Sequence, residues 1–163
     1  MSRLLLTIIR IALLVLLGET FITPAVTFAG IGPDFTLIGL VILTLAAGTR
    51  VGIVGGFVLG LILDSGVANL LGLHALLKSL SGYAVGRFSE RVVPGVTLVE
   101  VFALALLALV HDSIRLIVSA VLIDSAIVRP FFLEVVPSAL YTATLGVVLI
   151  RLAELAGILR RSD

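Results

Sequence analysis

Six ionisable residues stand where such residues are costly. Asp64, His74, Lys78, His111, Asp112 and Arg115 lie inside or at the ends of long apolar runs. In hydrocarbon a charge is tolerated only if it is paired or lines a wet cavity. His74 and Lys78 are four residues apart, so a helix puts both on one face; His111 and Arg115 share that spacing, and Asp112 can also reach Arg115. Three kinds of chemistry are open to this set. One is an ion-pair network, Asp112 with Lys78 or Arg115, pinning two helices together. Another is a polar cavity facing outward that receives a ligand or a partner's segment. The third is a proton relay. Two histidines with an aspartate could hold zinc in principle, but their positions match no ligand-spacing signature. No metal and no cofactor are therefore expected.

Other chemistries find no support. The chain has no Gly-x-Ser-x-Gly elbow, no His-Glu-x-x-His and no glycine-rich phosphate loop, so no catalytic residue is assigned and an enzyme is not expected. With no cysteine there is no thiolate ligand, disulfide or cysteine nucleophile. A net charge of +1 without a basic stripe argues against nucleic acid.

The elements that must position the six residues follow from composition. Apolar residues make up 60% of the chain and charged ones 13%, with a mean hydropathy of +1.31. A soluble domain is nearer a quarter charged. The expectation is an all-α integral membrane protein in a single polytopic domain, residues 1–163. Charges, glycines and prolines divide it into six spans at about 4–22, 35–48, 50–63, 70–88, 95–123 and 131–150. The first is closed by Thr23-Pro24. Arg3 and Arg10 give it the flanks of a signal peptide, but equally apolar sequence follows, so an uncleaved span is expected. Spans two and three are short enough to be buried or re-entrant segments. The tail 151–163, with Leu152, Leu155, Ala156 and Leu159 among charges, reads as an amphipathic extension at the interface.

Six crossings put Arg3, Arg10, Arg50, Arg87, Arg91, Arg151, Arg160 and Arg161 on one side and Arg129 on the other. By the positive-inside rule both termini are cytoplasmic. Splitting the fifth segment at His111-Asp112 would place Arg160 and Arg161 outside, so it is kept as one tilted helix. Arg10 and Glu100 fall near the inner surface, as interface residues. Lys78 lies about 12 Å from the outer end of span four, at 1.5 Å per residue, with Asp112 and Arg115 at comparable depth and Asp64 capping the outer end of span three. Gly52, Gly56 and Gly60 recur every four residues in span three, as do Gly82 and Gly86 in span four. Small residues on one face let helix backbones approach closely. These are helix-packing faces or faces for another membrane protein.

Order and spacing carry a resemblance. Pro33-Asp34 opens span two and Arg50 marks a short turn. Span three ends Gly56-Phe57-Val58-Leu59-Gly60-Leu61-Ile62-Leu63-Asp64, followed by Leu71-Gly72-Leu73-His74-Ala75-Leu76 and Gly82-Tyr83-Ala84-Val85-Gly86-Arg87. This stretch, about a third of the chain, resembles the bacterial rod-shape-determining MreD family. The resemblance implies a non-catalytic component of the elongation machinery for lateral peptidoglycan synthesis in the bacterial inner membrane. Its implied partners are MreC, RodA with its penicillin-binding transpeptidase and, indirectly, MreB, besides membrane lipid. It also implies a six-helix fold similar to the S component of energy-coupling-factor transporters. A vitamin-binding S subunit is thus the alternative. Against it, such subunits usually carry an Ala-x-x-x-Ala contact motif in the first span, whereas the pair nearest that span, Ala25 and Ala29, lies beyond Pro24, and the chain has no Trp and two Tyr.

Overall fold

The computed structural model describes residues 2–28, 30–65, 72–89, 97–123 and 126–159. Among them there is no β-strand, only an isolated bridge between Phe28 and Ile31. The described chain forms six helical rods. Helix α1 runs through Ser2–Leu17, a π segment at Gly18–Ile22 and a last turn at Thr23–Val26. Then come α2 (Phe35–Ala47), α3 (Thr49–Asp64), α4 (Leu73–Ser89) and α5 (Thr97–Ile123). Helix α6 comprises Val128–Pro130, a π segment at Phe131–Val135 and Val136–Leu155.

Among the described residues, three stretches are long and apolar enough to cross a membrane: Ile8–Val26, Glu100–Leu122 and Val128–Leu155. Large apolar side chains cover much of the outside, with Phe102 71% and Val121 75% exposed. A surface of that kind needs a nonaqueous neighbour. Helix α2, at 13 residues, is about 20 Å long, short of the roughly 30 Å hydrocarbon core. It is apolar on nearly all sides, as a largely buried helix must be: Leu37, Ile38 and Leu40 are fully enclosed, and Leu45 near its end is exposed. The bundle is built around it. Ile11, Val15, Leu43 and Leu59 join α1, α2 and α3; Val41, Leu104, Ala143, Val147 and Ile150 join α2, α5 and α6.

Helices α3 and α4 are the closest pair. A Cβ built on Gly56 would stand 2.4 Å from the Lys78 carbonyl oxygen, and one on Gly60 would stand 2.4 Å from the Ala75 Cα. From the other helix, a Cβ on Gly82 would meet the Gly52 carbonyl oxygen at 2.5 Å. Gly86 faces the Thr49 side chain and Gly52 faces Thr44. Gly56, Gly60 and Gly82 therefore pack this chain's own helices backbone to backbone, Gly52 and Gly86 make room for threonine side chains, and that face is filled from within. The turn between α2 and α3 is a single glycine, Gly48, at φ +89°, a conformation that costs other L-residues steric strain.

Several boundaries differ from the sequence reading. Helix α1 does not close at Thr23-Pro24 but continues to Val26. The Thr23 N–H donates to the Gly18 carbonyl, a wider i→i−5 turn that accommodates the proline ring two residues after the π segment ends. Pro137 stands in the same relation to Phe131–Val135, and α6 begins at Val128 instead of residue 131. Helix α5 is uninterrupted through His111-Asp112. Within the expected amphipathic tail, the helix itself ends at Leu155. Gly157, at φ +69°, ends α6: its N–H donates to the Glu154 carbonyl at 3.0 Å and the Ile158 N–H to the Ala153 carbonyl at 2.9 Å. This is the Schellman pattern. Ile158 and Leu159 then fold back onto the core, while residues 160–163 and the loop position Asn69 lie outside the described residues.

Candidate functional site

The start of α2, the end of α3, the start of α4, the C-terminal half of α5 and the N-terminal half of α6 meet at one end of the bundle. The segment Gly32-Pro33-Asp34 is held there by α6. The Ser138 hydroxyl donates to the Gly32 carbonyl at 2.5 Å, and the Asp34 N–H donates to the buried Thr142 hydroxyl at 3.0 Å. Asp34 is the N-cap of α2. Its Oδ1 accepts the Leu37 N–H at 2.7 Å and the Thr36 hydroxyl at 2.5 Å. Apolar sequence thus begins immediately after a residue that satisfies otherwise orphaned helix donors.

The same carboxylate is the counter-ion of Lys78. Lys78 Nζ lies 2.9 Å from Asp34 Oδ2 and 3.2 Å from Oδ1, with the lysine side chain only 1% exposed. The expected pairing of Asp112 with Lys78 is therefore not formed. The ion pair ties α4 to α2, not span four to span five. The physical reason is the glycine seam: it draws α4 onto α3 and turns Lys78 toward the α2 N-terminus. Asp112 instead faces Arg115 from one turn away, at 3.7 Å, too long for a hydrogen bond. Arg115 is about half exposed.

Asp64 also differs in role. A carboxylate at the C-terminus of its own helix is poorly placed for that helix dipole, and what it caps is the next helix. Its oxygens accept the N–H groups of Gly72 at 2.9 Å, His74 at 3.1 Å and Ala75 at 3.1 Å. His74 Nδ1 lies 2.8 Å from Asp64 Oδ1. The pair welds the end of α3 to the start of α4. His74 and Lys78 do share a face, but they serve different carboxylates.

His111 has no such arrangement. It is 3% exposed, yet neither ring nitrogen has a hydrogen-bond partner. One of its nitrogens and carboxylate oxygens of Asp34 and Asp112 all lie within 4.8 Å of one another. These three residues, with His74, Lys78, Arg115 and Ser138, line a cavity of about 240 Å³. The six residues singled out from sequence thus gather at one end of the bundle, five around this cavity and Asp64 behind His74. Sequence reasoning missed Asp34 as their centre, together with Thr142 and Ser138. The available signal was Asp34 directly before an apolar run at the N-cap position, read only as loop punctuation.

At the opposite end, Arg151 bridges Glu100 at 2.5 Å and Glu154 at 2.8 Å, joining α5 to α6. Helices α4 and α5 touch little. Between them lies an apolar groove of about 350 Å³, whose walls include Leu45, Ala84, Phe88, Ala103, Leu106 and Leu107.

A family model described as rod shape-determining protein MreD matches residues 1–155. No curated protein and no solved structure matches the chain.

Proposed function

The chain belongs to the MreD family, and from that premise we propose that this rod-shape-determining protein acts as a multi-pass, non-catalytic scaffold of lateral peptidoglycan synthesis. The family match along residues 1–155 carries the reading. On this proposal all six helices cross or enter the bacterial inner membrane in an arrangement like that of the S component. Both termini are cytoplasmic, in keeping with the arginine distribution, and the polar cavity faces outward. The short α2 is accommodated because most of it packs inside the bundle, where protein replaces lipid, while α3 and α4 each keep an exposed apolar face.

The glycine seam does not supply the partner face on this proposal, because α3 and α4 themselves occupy it. The groove between α4 and α5 is apolar and open at the side, and we assign it to the transmembrane helix of MreC. A helix laid into a groove buries its apolar face without needing a polar partner. Through MreC the scaffold would meet RodA and its transpeptidase outside, and MreB inside. The vitamin-binding alternative is less well supported. Ligand pockets commonly span about 300–1,000 Å³ and are mainly apolar, whereas the outer cavity is about 240 Å³ and lined by charges.

Ala84→Trp and Ala103→Trp fill the groove from its two walls without touching the glycine seam. Each is expected to abolish co-purification of MreC while leaving abundance and thermal stability unchanged. Retention of MreC by a stable double variant would refute the groove assignment. Failure of the wild-type chain to retain MreC or to support rod shape would refute the scaffold reading itself.

A further inference from the structure

We propose that Asp34, His111 and Asp112 form a binding site for a divalent cation of the zinc class. This goes beyond the scaffold reading and does not depend on it. Buried polar atoms are nearly always hydrogen-bonded, yet both ring nitrogens of His111 are left over at 3% exposure. The ring is therefore built for something that approaches through the cavity. Beside it stand two carboxylates from different elements, Asp34 at the start of α2 and Asp112 on α5, with the three candidate donor atoms mutually within 4.8 Å. Donors around a tetrahedral zinc ion, with bonds of about 2.0–2.2 Å, stand about 3.3–3.6 Å apart. Asp112 supplies the movement the site needs, since its 3.7 Å contact with Arg115 is too long for a hydrogen bond, while Asp34 is held by Lys78, the Leu37 N–H and the Thr36 hydroxyl.

Two carboxylates, Asp34 and Asp112, line the cavity with one buried cation, Lys78, and the half-exposed Arg115. A cation at the three donors meets both carboxylates favourably, whereas an anion there would be repelled by them. Donor type selects the class: an imidazole with two carboxylates suits zinc-like ions, whereas magnesium and calcium favour oxygen donors alone. His74 does not join, since it lies outside the set of donors gathered within 4.8 Å of one another. Three protein donors leave a fourth position for water, and the bound ion would tie α5 to the N-terminus of α2 across the cavity.

The test uses the full chain, purified in mild detergent without a polyhistidine tag, stripped with chelator and re-equilibrated with zinc. We expect one equivalent of zinc per chain to survive gel filtration, and a higher unfolding temperature than in the stripped protein. His111→Ala and Asp112→Asn should each lose that equivalent, and His74→Ala should keep it. Should His111→Ala not fold, cobalt(II) in the wild type gives an independent reading. Visible absorption of a nitrogen-and-oxygen-ligated ion is expected, and Asp112→Asn should lose it. A wild-type chain that retains no zinc, or retains magnesium or calcium in its place, overturns the proposal. So does retention unchanged in all three variants, which would mark an adventitious site elsewhere.

Discussion

Asp34→Asn separates two jobs that one carboxylate performs. Asparagine is as good an N-cap as aspartate, so the bond from the Leu37 N–H survives and only the counter-ion of Lys78 is lost. At the observed 2.9 Å, attraction between unit charges is about 6 kcal/mol at an effective dielectric constant near 20. Much of that offsets the desolvation of Lys78. Removing one partner of a buried pair typically costs about 3–5 kcal/mol, and the upper part of that range is expected because the lysine is 1% exposed. Lys78→Met should cost less, about 1–3 kcal/mol, since the stranded Asp34 keeps its bonds from the Leu37 N–H and the Thr36 hydroxyl. The double variant should be more stable than the sum of the two losses, by about 1–3 kcal/mol of coupling. Denaturant titration in mixed micelles, followed by circular dichroism, reads all four corners of the cycle. A loss below about 1 kcal/mol for Asp34→Asn would refute the argument, as would a greater cost for Lys78→Met than for Asp34→Asn.

The glycine seam and the Asp64 cap give sharper structural tests. Gly56→Leu drives a side chain into the Lys78 backbone, which cannot move aside. The overpacking penalty is at least about 1–3 kcal/mol, and loss of folded protein on gel filtration is expected; an undisturbed, fully stable variant would contradict the α3–α4 packing. Asp64→Ala removes the acceptor of three backbone N–H groups and the partner of His74. It should cost about 2 kcal/mol or more, above an ordinary N-cap, while Asp64→Asn should recover part of it. Equal stabilities of the alanine and asparagine variants would count against the capping role.

The family was legible in the sequence because its signal is local: short apolar motifs in a fixed order, glycines every four residues, and a short turn marked by Arg50. The same locality made the helices legible, since hydropathy and glycine or proline punctuation act within a few residues. Where local rules compete, the boundaries moved. Pro24 ended the helix on paper but is carried through by a π turn, and Gly157 stopped a tail whose charge pattern would have let it run on.

What tertiary structure alone decided is pairing. The sequence by itself established that Lys78, His111 and Asp112 are costly residues in need of partners, because burial in an apolar run is a property of the run. It did not establish which partners, because that depends on how helices rotate about one another. The closest approach, α3 on α4, is set by backbone contact across Gly52, Gly56, Gly60 and Gly82. That rotation delivers Lys78 to Asp34, a residue 44 positions away in the chain, and leaves His111 without a hydrogen bond. Spacing along a helix can place two side chains on one face. Only the packing of the whole bundle determines what that face meets.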